Sequence, residues 1–408
     1  MPMQDSESVL VQMFVKTGSR YETAAQRGVS HFLEHLLFKG TKKYPNAKIL
    51  STIVEAMGAD YNAFTGKEYT VFYIKAAAKY LPLIMDVLTE MLQRPRLDQT
   101  EITREKGVIF EEMNMYRDTP MRLIGDVIEE HMWPKSDLGA LIIGDEKTVG
   151  RLNRPEIAGY VRDKYTNENL IIGIAGKYDE KICNRQVTYH WGKGFAGNSA
   201  SNFTPAPIVA SKPKVKLEYK KTQQAHLALG FYAYSYDDPR NVTVEVLSNI
   251  LGGGMSSRLF SEIRERRGLA YYVRSGTHHY QDTGMLAITS GLRLKKVDEA
   301  ISVISRELRK IKSGNVQAAE LKKAKENLKG RTTLSLEDSE HRLEWYLEQV
   351  AFKKKTESPG QVFKKIDKVT PAAIKAEAKK LFTQKNAKLA LIGPFRGKEK
   401  QFERLLKL

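Results

Sequence analysis

A chain of 408 residues exceeds what one hydrophobic core of usual size supports, so two or more domains are expected. Hydrophobic residues at 41% can fill substantial cores and charged residues at 28% make a soluble surface, while no apolar run approaches the roughly 18 residues of a membrane span. The net charge of +18 is spread out and interleaved with Glu, as at 320–329, and no aromatic-basic motif accompanies it, so no nucleic-acid partner is expected.

Residues 1–7 lack a basic region followed by an apolar run, so the start does not read as a secretory signal. A β-like run at 9–15 leads through a polar turn into an apolar helix at 29–38. A β-rich segment at 69–74, an amphipathic helix at 81–92 and a further helix beginning near Glu101 follow. Cys183 is the single cysteine, which excludes an intrachain disulfide and a Cys-based zinc site and points to a reducing, cytoplasmic compartment. The small, polar, Pro-containing stretch 201–213 reads as a linker between domains at 1–200 and 214–408. Beyond it the pattern recurs: a β-like run at 225–232, the turn Asp237-Asp238-Pro239, helix 242–251, strand 284–290, helix 297–311 and another helix near Glu320. A duplicated α+β unit accounts for this order.

The chemistry lies in His31-Phe32-Leu33-Glu34-His35. Residues 26–38 have helical periodicity, with Val29, Phe32, Leu33, Leu36 and Leu37 available for packing. His31, Glu34 and His35 therefore share one face. Two imidazoles one turn apart suit tetrahedral zinc, and a neighbouring carboxylate can take a proton from water. The order is the inverse of the commoner zincin motif. A third ligand has three candidates on the helix 101–115: Glu105, Glu111 and Glu112. Glu105 and Glu112 are two turns apart on one face, whereas Glu111 points elsewhere, so Glu112 can bind metal while Glu105 orients a ligand from behind.

Together with Gly18-Ser19-Arg20, the run 28–41, Asn62-Ala63-Phe64-Thr65, 105–112, 251–260 and 262–271, this motif resembles the pitrilysin/insulinase family, in its short branch with the processing peptidases. The resemblance implies two homologous domains, each a mainly antiparallel β-sheet packed with α-helices. It implies a zinc endopeptidase holding one zinc per chain on His31, His35 and Glu112, with Glu34 as general base and Glu105 supporting the ligands. It also implies that Arg264 and Tyr271 face the zinc, the guanidinium holding a substrate carbonyl and the phenol donating to the developing oxyanion. Unfolded peptides or presequence-like segments would bind in a clamshell chamber along the strand 58–73, near Asn62 and Ala63, by edge pairing. A chain of this length would act as a homodimer, or as a heterodimer with a related chain.

Registering the halves on Leu33 and Leu247 sets His31, Glu34 and His35 against Glu245, Ser248 and Asn249, so no second metal is expected. Gly252-Gly253-Gly254 lacks the Lys-Ser/Thr of a phosphate loop and reads as a helix-ending turn. Family members usually begin with a further strand bearing an Asn-Gly turn; this sequence opens beyond it, which predicts one strand fewer in the first domain.

Overall fold

The computed structural model describes residues 1–3, 5–192, 203–208 and 214–408; of the expected linker, 201–202 and 209–213 lie outside the described residues. The first half forms β1 (Ser8–Val15), α1 (Val29–Leu37), α2 (Ala47–Ala56), β2 (Asp60–Thr65), β3 (Thr70–Ala77), α3 (Leu81–Gln93), α4 (Gln99–Arg117), α5 (Pro120–Met132), α6 (Glu146–Arg151), α7 (Arg154–Lys164), β4 (Leu170–Gly176) and α8 (Glu180–Trp191). The second forms β5 (Val215–Tyr219), β6 (Gln224–Ala233), α9 (Asn241–Gly252), β7 (Ala270–His279), β8 (Gly284–Arg293), α10 (Val297–Ser313), α11 (Ala318–Ser335), α12 (Ser339–Phe352), α13 (Pro359–Asp367), α14 (Pro371–Leu381), β9 (Ala387–Gly393) and α15 (Glu399–Leu405). These elements sort into two compact units. Met1–Met115, Ala140–Thr204 and Leu336–Ala351 make the first, and Tyr116–Gly139, Pro205–Ser335 and Phe352–Leu408 the second.

The first unit is built on an antiparallel sheet of order β2-β3-β1-β4. Val9, Val11, Met13 and Val15 of β1 face a core completed by Phe32, Leu33 and Leu36 of α1 and Ile84 and Leu88 of α3. Alternation would leave the other face of β1 exposed, yet Leu10, Gln12 and Phe14 are buried too. The cover is α12, from the far half of the sequence. Its Leu343 and Leu347 come so close to Gly173 of β4 that a Cβ there would stand 2.9–3.0 Å from their methyl groups. The hydroxyl of Tyr69 also donates to Glu348 of α12 at 2.7 Å.

The second unit has a five-stranded sheet of order β5-β9-β6-β8-β7, with β5 parallel to β9 and the other pairs antiparallel. Here the outer face is covered by α5, from the first half of the sequence. A Cβ on Gly230 of β6 would lie 2.6 Å from Met132 Sδ, and the Tyr232 hydroxyl donates to the Met132 carbonyl. Ile124, Val127 and Ile128 of α5 pack with Ala228, Met285 and Ile392 of the sheet.

The order β7-β8-β6-β9 repeats β2-β3-β1-β4, so the fold is α+β with two similar units, as expected. Each unit takes its sheet from one half of the sequence and one covering helix from the other. Beside β4, where the second sheet has β5, the described residues contain only an isolated parallel bridge from Pro2 to Gly176. Among the described residues no helix is long and apolar enough to cross a membrane.

Candidate metal centre and active site

Helix α1 presents its apolar stripe, Val29, Phe32, Leu33, Leu36 and Leu37, to the core of the first unit, leaving His31, Glu34 and His35 on the half-buried face. Helix α4 buries Ile102, Glu105, Ile109 and Met113, which turns Glu112 toward the same point. Nitrogen atoms of His31 and His35 and an oxygen of Glu112 lie within 4.8 Å of one another, the one such group of potential metal ligands among the described residues. Glu112 Oε2 stands 3.4 Å from His35 Nε2 and 3.7 Å from His31 Nε2. It is buried and meets neither nitrogen in hydrogen-bonding geometry. Ligand atoms about 2.1 Å from a tetrahedral zinc stand roughly 3.4 Å apart, so these separations and this donor set fit zinc.

Behind the group, Glu105 Oε2 accepts from His35 Nδ1 at 3.4 Å while Oε1 pairs with Lys39 Nζ at 2.8 Å. Glu111 is exposed and takes no part. Burial holds His31 below its usual range, against the pull of Glu112. Burial also acts to lower His35, but the hydrogen bond to Glu105 and the close negative charge of Glu112 outweigh it and raise the ring to about 9. Glu105 lies below the ordinary carboxylate range: burial opposes this and is outweighed by His35 and Lys39. Glu112 is lowered chiefly by its contact with His35. Two carboxylates held anionic around two imidazoles make a ready cation site, in which metal would take the place of the His35 proton.

Glu34 projects beside these ligands and accepts a hydrogen bond from Thr65 Oγ1 at 2.5 Å. Burial pushes its carboxyl above the usual value, opposed by Thr65. Asn62 and Ala63 lie on β2, which has β3 on one side and no partner on the other among the described residues. Asn62 is exposed and its Oδ1 accepts from the Ala63 amide at 2.9 Å, while Ala63 itself is buried.

The N-terminus of α1 is held by Glu22, whose carboxylate accepts from the Gly28 amide at 2.8 Å and the Ser30 amide at 2.7 Å. Full burial raises Glu22 to about 7, against those hydrogen bonds and the charge of Lys67. Between about pH 4.5 and 7 the folded protein keeps a proton that the unfolded chain has lost, so stability contributed at low pH is lost as pH rises through this window, by up to about 3 kcal/mol. Glu22→Gln is expected to flatten that slope in denaturant melts collected at several pH values. Glu344, also raised to about 7 by burial, titrates in both proteins, so the difference between them isolates Glu22.

In the second unit, Arg264 lies on a π-helical turn, Phe260–Glu265, with its guanidinium 4.8 Å from the Phe260 ring and 5.4 Å from the Tyr271 ring. Strand pairing skips from Ala270–Leu292 to Tyr272–Gly291, making Tyr271 the extra residue of a β-bulge. The bulge turns the phenol outward, 74% exposed, beside the guanidinium. The structure thus brings Arg264 and Tyr271 together as an exposed pair.

The same unit holds a neutral counterpart of the metal group. Asn249 of α9 donates to Asn327 of α11 at 3.1 Å, and Glu320, seven residues before Asn327 as Glu105 is before Glu112, is paired with Arg258 at 2.6 Å. Amides replace the imidazole and carboxylate that would bind a cation. The Asn327 match was legible in the shared spacing of seven but not drawn from the sequence. Thr65, Lys39 and Glu22 also went unassigned. Lys39 carried a signal, one turn beyond His35 on the same helix face, and Thr65 ends the motif Asn62-Ala63-Phe64-Thr65.

Residues 3–146 match the family described as Insulinase (Peptidase family M16), and residues 151–328 match the family described as Peptidase M16 inactive domain. The chain is 33% identical to an uncharacterized zinc protease of Bacillus subtilis, covering 95% of this chain and 93% of that protein. It is 34% identical to an uncharacterized zinc protease of Streptomyces coelicolor, covering 96% of this chain and 86% of the other. Its fold is similar to the crystal structure of a protease from Helicobacter pylori, with a TM-score of 0.88 at 21% identity over 97% of this chain and 96% of that one. It is also similar to a peptidase M16 inactive domain structure from Pseudomonas fluorescens, at a TM-score of 0.87 and 18% identity, covering 97% of this chain and 95% of the other. The chain therefore belongs to the insulinase family of metallopeptidases, peptidase family M16.

Proposed function

We propose that the chain is a zinc endopeptidase that hydrolyses unfolded peptides or presequence-like segments, with one zinc per chain on His31, His35 and Glu112. The observation that carries this reading is the convergence of those three side chains with Glu34 beside them. Zinc bound there supplies Lewis acidity, polarising a carbonyl and lowering the pKa of water toward neutrality. Glu34 takes the proton from water and returns it to the leaving amine, and its partly buried setting favours both transfers. Glu105 fixes the ring orientation of His35 through Nδ1. The open edge of β2 pairs with an extended peptide and sets its backbone beside Asn62 and Ala63.

Arg264 and Tyr271 complete the site by holding a carbonyl and donating to the oxyanion in a clamshell chamber. They come from a partner copy in a homodimer, or from a related chain in a heterodimer. The single cysteine, Cys183, is free, in keeping with a cytoplasmic setting.

The test is cleavage of a mixed library of unstructured peptides by the zinc-loaded protein, read by mass spectrometry. Chelation is expected to stop cleavage and zinc to restore it; cleavage that persists without metal refutes the reading. Glu105→Gln is expected to weaken zinc binding about 10- to 100-fold in a chelator competition.

A further inference from the structure

We propose that Thr65 is a positioning residue for the general base, its hydroxyl fixing the Glu34 carboxylate and tying it to the edge strand that pairs with the peptide. The proposal rests on the reading of Glu34 as that base. The hydroxyl stands 2.5 Å from Glu34 Oε2 and is the donor of a charge-assisted hydrogen bond. Taking one carboxylate oxygen leaves the other to accept a proton from water. A glutamate on an unsupported helix face swings through several rotamers, whereas a base must be aligned before the reaction starts.

Thr65 can impose that alignment because its own position is overdetermined. It is the last residue of β2, paired with Thr70 across the hairpin. The Gly66 amide donates to the Tyr69 carbonyl at 2.8 Å, closing the turn. The 3-10 turn Ser19–Tyr21, entered through an extended Gly18, clamps it from outside: the Ser19 amide donates to the Gly66 carbonyl at 3.2 Å and the Arg20 amide to the Lys67 carbonyl at 2.8 Å. Arg20 then reaches Glu68 at 2.6 Å, Lys67 Nζ reaches the Ala140 carbonyl at 2.6 Å, and Thr70 Oγ1 reaches the Thr17 carbonyl at 2.9 Å. Valine would serve equally well as a β-branched strand residue here. What threonine adds is the hydroxyl aimed at Glu34.

The experiment compares the full chain with Thr65→Val, Thr65→Ser and Glu34→Gln, each loaded with zinc for kinetics and with cobalt for visible spectroscopy. For Thr65→Val, kcat is expected to fall about 10- to 100-fold with KM, zinc affinity and melting temperature close to the parent. Thr65→Ser, which keeps the hydroxyl, is expected to recover most of kcat. The visible bands of the cobalt form should shift in Thr65→Val in the same sense as in Glu34→Gln, because both change the hydrogen bonding around the metal. Parent-like kcat and an unshifted spectrum in Thr65→Val, or failure of serine to rescue, overturn the proposal. If Glu34→Gln cleaves like the parent, the assignment of the base fails instead; if the parent cleaves nothing, the cobalt spectra still decide on Thr65.

Discussion

Glu34→Gln is expected to keep zinc at parent stoichiometry and to lose about 10²- to 10⁴-fold in turnover, the range that a positioned general base supplies. Glutamine matches the carboxylate in size and can still take the Thr65 hydrogen bond at Oε1, but it cannot accept a proton at neutral pH. The metal group does not include Glu34, so binding and chemistry separate. Metal analysis and peptide cleavage on one preparation check both halves. Loss of zinc along with turnover would make Glu34 a structural element of the site. Unchanged turnover would sink its role as base.

The second large effect is on stability. Arg20 and Glu68 form an ion pair whose side chains are 0% and 2% exposed, with the guanidinium also 3.9 Å from the Phe203 ring. Arg20→Met removes the cation and leaves a buried carboxylate, which is expected to cost about 3–5 kcal/mol. The transition of the first unit should fall by about 10 °C in calorimetry. Arg20→Met combined with Glu68→Leu is expected to recover most of that loss, since a buried pair replaced by apolar groups of similar size is close to neutral. A double variant no better than the single would show that the segment at 18–20 depends on the guanidinium for more than charge.

What was legible in the amino-acid order was short in range. The helical spacing of His31, Glu34 and His35, the shared face of Glu105 and Glu112 and the recurrence of strand and helix patterns follow from 3.6-residue and two-residue periodicity. The four residues of the metal group and its support therefore had positions that local geometry could restrict, and the structure places all four together. The exposed Glu111 was set apart by the same argument.

Contacts that need the chain to return were invisible to that reasoning. Thr65 meets Glu34 across 31 positions, Arg20 meets Glu68 across 48, and nothing local marks Glu22 as the cap of a helix that begins at Val29. The outward turn of Tyr271 depends on a bulge defined by pairing with β8. Most of all, the β-like runs at 9–15 and 225–232 did not say that the second face of each sheet is buried, or by what. The structure answers with α12 on the first sheet and α5 on the second, each drawn from the opposite half of the chain. Side-chain spacing fixes which residues share a face, because that is a property of a single element. Which face meets which is a property of the packed whole, since burial rewards any apolar surface that arrives, whatever its distance along the chain.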